Sequence, residues 1–274
     1  MATTGTDKDV AQGTEAVPPE PAGKPRRRRM HRFGTVLMVV GALVIVYAAV
    51  ILFWGDPITA LYADWRQHQL SHTLNSEIDR WKPDPAVAAA IQAHGQADAR
   101  TRATELRSLR ADAAKFSHEV KGGQPFSRLT IGRIGLSVVV VQGTDWLHDL
   151  SQGPGHYANT HFPGQGTTVA IAGHRTTFGA WFRHINDIRN GDWITLQMPY
   201  ATFHYRVQYH QVVPNTDWKI IRPQGYERLV LSACHPLYSA SHRYVIFARL
   251  ESVKLPGARN TVRIVPASPA TAAA

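Results

Sequence analysis

The chain has 274 residues, of which 44% are hydrophobic, and it carries a formal charge of +10 and a single cysteine. This length suffices for one globular domain with accessory segments, or for two small domains. The positive charge is spread out, with 12 Lys and Arg against 7 Asp and Glu over residues 125–255, so no block is basic enough for nucleic-acid binding. One cysteine excludes an internal disulfide and a multi-thiolate metal site.

The sequence of the N-terminal region is typical of a basic tail followed by a membrane helix. Residues 1–34 are polar and end in a run of arginines, and we predict them to be disordered. The uncharged stretch from Thr35 to Trp54 is long enough to cross a hydrocarbon core about 30 Å thick. We therefore predict a transmembrane helix over residues 35–55, with the basic tail in the cytoplasm and the rest of the chain outside.

Two other interpretations of this stretch are a cleaved signal peptide and a buried core helix. Its apolar run is longer than that of a signal peptide, and no small-x-small cleavage pattern follows it. Its apolar residues cover every face, which disfavours a helix with one face in a core.

Residues 56–124 are balanced in charge and rich in alanine, and we predict an extracellular helical spacer. Pro85 is suited to the first turn of a helix, and no Gly or Pro interrupts the run from Gln96 to Val120. One thin apolar stripe lies at helical spacing in this run, formed by Leu106, Leu109, Ala113 and Phe116. The stripe fits a helix that docks on the next domain, and a solvated linker is the alternative.

From residue 125 to residue 255 the pattern becomes strand-like, and residues 256–274 read as a flexible tail. Short β-rich runs alternate with Gly or Pro turns: Leu129 to Ile131, Ile134 to Gln142, Thr168 to Ala172, Trp193 to Met198, Thr202 to Val213, Leu229 to Ala233 and Tyr244 to Leu250. Seven or eight short strands predict a mainly β protein with a closed β-barrel. Only the piece from Gly179 to Ile188 reads as a short helix.

Three chemically capable residues fall at predicted strand ends. His174 follows the strand Thr168 to Ala172, Cys234 ends the next-to-last strand, and Arg243 enters the last one. A rigid strand fixes the position of a residue at its end while the loop leaves it accessible. A lone cysteine outside the cytoplasm also favours chemistry or a dimer bond. A thiol, an imidazole and a guanidinium are therefore predicted to converge.

These residues resemble the motifs of the sortases, cysteine transpeptidases of Gram-positive cell surfaces. The matching motifs are Gly173-His174-Arg175, the run from Val230 to Cys234, and Ser241-His242-Arg243-Tyr244, in the family's order. The likeness covers roughly residues 124–252, and Cys-His-Pro after the strand is most similar to the actinobacterial class E sortases. Val230 and Ala233 stand where the family usually has threonines.

The resemblance implies a membrane-anchored transpeptidase that cleaves a C-terminal sorting motif of the Leu-Ala-x-Thr-Gly or Leu-Pro-x-Thr-Gly type. Cys234 would be the nucleophile that forms a thioacyl intermediate, His174 the acid and base, and Arg243 the oxyanion and peptide contact. Ser232, Ala233, His235 and Arg175 would bind substrate, and His242 is expected to be exposed. The implied partners are secreted proteins with a sorting motif and an amine of the peptidoglycan precursor.

Three alternatives remain at this stage: a pilin-polymerising sortase, a surface adaptor without catalysis, and a hydrolytic cysteine peptidase of the same fold. No His-Glu-x-x-His or Cys-x-x-Cys pattern predicts zinc, and the aspartates form no recognisable calcium loop. We therefore predict that the protein needs no cofactor and no metal.

Overall fold

The computed structural model describes residues 26–54, 56–82, 99–256 and 262–263. By internal contacts the chain divides into two units, Met1–Ala49 and Val50–Ala274. The predictions for residues 1–25, for a helix opening at Pro85 and for most of the tail lie outside the described residues.

Helix α1 spans Arg26–Trp54, so it begins within the segment predicted to be disordered. Arginine is a good helix former, and the basic run therefore extends the apolar helix towards the N-terminus. The part from Arg32 to Ile51 has 20 residues and a mean hydropathy of 2.6, which makes it long and apolar enough to cross a membrane. An apolar helix near the N-terminus is also what a signal sequence forms, so length and composition alone do not decide between them.

Helix α2 spans Pro57–Arg80 and starts with a well-formed N-cap. The Asp56 carboxylate accepts hydrogen bonds from the amides of Ile58 (3.1 Å) and Thr59 (3.4 Å), and Pro57 occupies the first turn, where its missing N–H costs nothing. The buried face of α2 consists of Ala63, Gln67, Leu70 and Leu74.

Helix α3 spans Ala99–Glu119, close to the predicted run from Gln96 to Val120. Its apolar stripe is part of the main core, since Leu109, Ala113 and Phe116 are buried there and Leu106 packs against it. The docking interpretation of the stripe is therefore correct, and the solvated-linker alternative is wrong for this helix.

The rest of the unit is a β-barrel built from short strands. Their bounds are β1 Pro125–Ile131, β2 Leu136–Gln142, β3 Gly155–His156, β4 Thr168–Gly173, β5 Trp193–Gln197, β6 Thr202–Pro214, β7 Arg228–His235, β8 His242–Lys254 and β9 Val262–Arg263. The order β6-β5-β1-β2-β3-β4-β7-β8 closes through a pairing of β8 with β6, and β9 adds to the edge of β8. The predicted closed barrel of seven or eight strands is confirmed.

The predicted short helix from Gly179 to Ile188 is wrong. Two 3-10 turns stand there instead, at Phe178–Ala180 and Ile185–Asp187. Gly179 has a φ of 78°, which no right-handed helix accommodates, so the chain cannot run through it as one helix.

A buried carboxylate holds the turn on which α3 packs. Glu227 accepts hydrogen bonds from the amides of Gly164 (2.9 Å) and Gly166 (2.9 Å) and from the Tyr205 hydroxyl (2.8 Å). Gly164 has a φ of 96°, and a Cβ there would lie 2.9 Å from the Leu109 side chain of α3. Burial raises the pKa of Glu227 to about 7, although its three donors oppose the shift.

One side of β2 is closed by a helix instead of a strand. Strand β3 pairs with β2 only at Val141 and Gln142, which leaves the start of β2 without a strand partner on that side. The Gln67 side chain of α2 fills this gap: its amide donates to the Val139 carbonyl (2.8 Å) and its oxygen accepts from the Val139 amide (2.7 Å). It also donates to the Gln152 carbonyl (2.9 Å), so α2 completes the barrel wall.

Gln67→Ala should lower the free energy of unfolding by about 2–4 kcal/mol. The substitution leaves the buried amide and carbonyl of Val139 and the carbonyl of Gln152 without these hydrogen bonds. The measurement is urea denaturation of the full chain in detergent. Gln69→Ala, at an exposed position of the same helix, is the control and should change this energy by less than about 0.5 kcal/mol. Equal effects of the two substitutions would show that Gln67 does not close the wall.

Candidate active site

Strand register brings the three predicted catalytic residues together. Strands β4 and β7 run parallel, and their last pair is Gly173 with Ala233, so His174 and Cys234 are each the next residue along. Strands β7 and β8 are antiparallel, and Cys234 lies directly opposite Arg243. Neighbouring strands are about 4.8 Å apart, so the residues His174, Cys234 and Arg243 stand side by side at one end of three adjacent strands.

The side chains of Cys234 and Arg243 also share one face of the sheet. Along β7, Leu229, Leu231 and Ala233 belong to the core inside the barrel, whereas Val230 belongs to a second cluster on the outside. Side chains alternate in a strand, so Cys234 points outward. The same alternation on β8, where Val245 and Phe247 lie in the outer cluster, turns Arg243 outward as well.

The loop after β4 places His174 in a partly buried position. Gly173 allows this, because a Cβ there would lie 2.5 Å from the Phe182 ring, which packs under the turn. The Phe182 amide donates to the His174 carbonyl (2.9 Å), and the Phe178 ring lies 5.6 Å from the imidazole. The Nε2 atom of His174 is buried and has no hydrogen-bond partner among the described residues.

Burial lowers the pKa of His174, because the imidazolium loses hydration that nothing nearby replaces. The neutral imidazole is therefore the resting form at neutral pH. A neutral ring with a free nitrogen can accept a proton from a thiol or an amine, which is what a general base must do.

Cys234 is the sole cysteine of the chain and is half-buried as a free thiol. Its backbone is held in place by Arg175, whose Nη1 donates to the Cys234 carbonyl at 3.3 Å. A nucleophile needs both access to substrate and a fixed position, and Cys234 has both.

Arg175 is buried and its guanidinium is fully used by the protein. Nη1 also donates to Nδ1 of His235 (3.3 Å), Nε donates to the Arg183 carbonyl (3.3 Å), and Nη2 donates to that carbonyl (3.1 Å) and to the Asn186 side chain (2.5 Å). With the bond to Cys234, these contacts account for all its N–H donors. Burial lowers the pKa of Arg175, and the neighbouring Arg183 adds to this effect.

Arg243, unlike Arg175, does not use all its donors on the described residues. Its Nη1 donates to the carbonyls of Ala240 (3.0 Å) and His242 (3.1 Å) in the β7–β8 loop. Nε and Nη2 form no hydrogen bond with the described residues and remain able to donate to a substrate. Arg228, the first residue of β7, is buried and donates to Thr168 and to two carbonyls, so its guanidinium is not available to a substrate.

The structure places the four predicted substrate contacts on β7 and in the loop after β4. Ala233 and His235 lie on the inner side of β7 by the alternation that turns Cys234 outward, and Ala233 is buried in the core. Arg175 has no donor left. Ser232 shares the face of Cys234, but it is buried and its hydroxyl lies 3.0 Å from the Tyr157 hydroxyl. Their contact with substrate therefore stays a prediction. His242 is exposed, as predicted.

Two residues that help to build the site were not predicted from the sequence. The hydroxyl of Tyr157, which follows β3, lies 3.0 Å from the Ser232 hydroxyl, and its ring packs on the outer cluster. Thr59 of α2 accepts a hydrogen bond from the Phe178 amide (2.9 Å) and so holds the His174 loop. No local motif marks either residue, because both act across long sequence separations.

The arrangement supplies a nucleophile, a neutral base and a free cationic donor on one surface, which suits acyl transfer. No group of three or more His, Cys, Asp or Glu side chains that could hold a metal occurs in the part of the chain that the structure describes.

Comparison with known proteins agrees with this chemistry. A family model described as "Sortase domain" matches residues 129–251. Sortase D of Bacillus subtilis is 32% identical over 139 residues, which are 49% of this chain and 68% of that protein. Sortase SrtE1 of Streptomyces coelicolor is 25% identical over 177 residues, which are 58% of this chain. The chain spans about half the length of this second relative, 49%.

Among solved structures, that of sortase E from Streptomyces avermitilis is 34% identical, with a TM-score of 0.46, and the match covers 51% of this chain and 96% of that one.

The imidazole of His174 should titrate with a midpoint below its ordinary value of 6.5, because burial disfavours the charged form. The measurement is NMR of the His Hε1 signals in labelled full chain, with His174 assigned by its loss in His174→Gln. Phe178→Ala should raise the midpoint by admitting water, whereas Trp146→Ala, at an exposed position, should not. A wild-type midpoint at or above 6.5 would contradict the neutral base. The unfolded chain binds this proton more readily, so the shift also lowers stability as pH falls below 6.5.

Proposed function

The chain belongs to the sortase family of cysteine transpeptidases, and we propose that it attaches secreted proteins to an amine of the cell wall. In this proposal it cleaves a C-terminal sorting motif, of the Leu-Ala-x-Thr-Gly or Leu-Pro-x-Thr-Gly type, between Thr and Gly. The observation that supports this assignment of roles is the strand register, by which His174, Cys234 and Arg243 lie at one end of three adjacent strands.

The first half of the reaction forms the thioacyl enzyme. The sulfur of Cys234 attacks the threonine carbonyl carbon while the neutral His174 takes the thiol proton. The C–N bond to glycine then breaks, and His174 gives the same proton to the departing amine. The partly buried ring, with its free Nε2, supports both steps because it holds the proton without losing its position.

The second half returns the enzyme to its starting state. An amine of the cell-wall precursor attacks the thioacyl carbon, and His174 removes a proton from that amine. The C–S bond breaks, the new amide leaves, and the proton passes from His174 to the Cys234 sulfur. No proton is gained or lost over the cycle.

Arg243 stabilises the negative oxygen in both halves. Its guanidinium is always charged and is anchored at Nη1 by two loop carbonyls, which leaves Nε and Nη2 to donate. An anchored donor costs little reorganisation when charge develops on the substrate oxygen.

The sorting peptide would lie along the outer face next to Cys234. Arg243 is flanked by Cys234 on β7 and by Val213 on β6, and an apolar cluster with Tyr157 at its side continues away from this row. The part-exposed ring of Tyr157 suits the aliphatic residues of the motif, whereas Arg243 suits its backbone oxygens.

Anchoring by α1 completes the proposal. The apolar part from Arg32 to Ile51 would cross the membrane once, with the N-terminus in the cytoplasm because the preceding run contains Arg26 to Arg29. The barrel would then lie outside, where secreted proteins and wall precursors are found.

The full chain, incubated in detergent with a Leu-Ala-x-Thr-Gly peptide and a glycine-based amine, should yield the amide product and a thioacyl adduct on Cys234 by mass spectrometry. Cys234→Ala should abolish both, and His174→Gln should slow the reaction by about 10²–10⁴-fold. Peptide acid as the main product despite abundant amine would indicate a hydrolase. A chain that binds peptide but forms no adduct would indicate an adaptor.

Arg243→Lys should lower the rate constant of thioacyl formation by about 10²–10³-fold, because a lysine cannot keep both the loop anchor and the oxyanion contact. The measurement is rapid-quench mass spectrometry of the adduct at saturating peptide. Arg249→Lys is the matched control on the same strand, where the guanidinium packs over Tyr226, and should leave the rate unchanged. Equal losses in the two variants would remove Arg243 from the mechanism.

A further inference from the structure

The outer face of the first turns of α2 is apolar and exposed. Four large side chains lie there with much of their surface in contact with solvent: Ile58 (65% exposed), Leu61 (73%), Tyr62 (44%) and Trp65 (57%). Their spacing of three, one and three residues puts them on one face of the helix. We name this set the α2 stripe.

The α2 stripe does not belong to the surface with which α2 packs on the barrel. That surface is formed by Ala63, Gln67, Leu70 and Leu74. Thus the helix buries one face in the protein and presents a second apolar face that has no use in the folded barrel. Contiguous exposed apolar surface of this kind marks an interaction site.

The stripe is confined to one end of the helix. Further along the same face the exposed residues are polar, namely His68, Gln69 and His72. The change occurs after Trp65, so only the turns nearest to α1 in the chain are apolar.

The apolar end of α2 cannot lie far from the end of the membrane-helix candidate. Ile58 is only seven positions after Ile51, the last residue of the candidate. Even a fully extended connection of this length reaches only about 25 Å, and a folded one reaches less. A membrane crossed by α1 would therefore present its surface within reach of the stripe.

The composition of the stripe fits the lipid–water boundary. Tryptophan and tyrosine are enriched at this depth because each combines an apolar ring with a polar group, and Ile58 and Leu61 supply the apolar part. Within the described part of the chain, one cation stacks on the stripe, Arg66, 5.8 Å from the Trp65 ring.

We propose that the α2 stripe lies in the interface of the bilayer that α1 crosses, with Ile58, Leu61, Tyr62 and Trp65 inserted among the lipid headgroups and upper acyl chains. This inference rests on the proposed anchoring by α1. The partner is the lipid surface itself, and the polar turns after Trp65 rise out of it.

Docking of the stripe would fix the height of the active site above the membrane. In the same turns, Thr59 accepts the hydrogen bond of the Phe178 amide and so holds the loop that follows His174. The site is therefore tied to the membrane-facing end of α2, which suits an amine substrate carried on a membrane lipid.

The test uses the full chain in nanodiscs, with one chain per disc. Cys234→Ala removes the only thiol, and Leu61→Cys or Trp65→Cys then receives an environment-sensitive NBD label. We expect emission at shorter wavelength and quenching by lipids with a nitroxide high on the acyl chain, since interfacial helices insert about 5–10 Å. His72→Cys, on the same face, is the control and should stay in water without quenching. The result should be the same in zwitterionic discs and in discs with anionic lipid.

Labels at Leu61 and Trp65 that remain as exposed and unquenched as the label at His72 would overturn the proposal. A blue shift that occurs only with two chains per disc, without lipid quenching, would identify a second copy as the occupant and would also overturn it. Failure of the chain to stay with the discs would instead refute the anchoring by α1, so the two proposals fail in different ways.

Discussion

The proposed active site depends on the parallel pairing of β4 with β7. Parallel strands run in the same direction, so their ends come to one edge of the sheet, and the last pair, Gly173 with Ala233, leaves His174 and Cys234 as neighbours. A slip of one residue would turn one of the two side chains to the inside of the barrel. The buried strand residues below the site, such as Ile171 and Leu231, prevent that slip, because it would expose them.

The barrel that carries this pairing is not closed by strands alone. The gap beside β2 is filled by the Gln67 side chain, which forms with the Val139 backbone the two bonds that a strand would form. The same helix holds the His174 loop through Thr59, and α3 rests on a turn held by Glu227. The region predicted as a spacer is therefore part of the unit that positions the catalytic residues.

The sequence predicted the barrel and the three catalytic candidates because alternation, turn residues and strand ends are local signals. It did not predict β3, which has two residues and no pattern, nor the role of Gln67, whose partner Val139 is 72 residues away. Nor did the sequence predict the hydrogen-bond partners of Arg175. Its five donors are used by backbone and side-chain acceptors that only the folded loops bring together.

Burial explains why Arg175 and Arg243, the two arginines near Cys234, differ in the donors that they leave for a substrate. A guanidinium taken out of water must satisfy its donors with protein acceptors, and Arg175 does so by binding the carbonyl of Cys234 and the loop after His174. Arg175 therefore has no donor left for a substrate oxygen in this arrangement. Arg243 lies where solvent or substrate can complete its bonds, so it is the guanidinium that can respond when charge appears on a substrate oxygen.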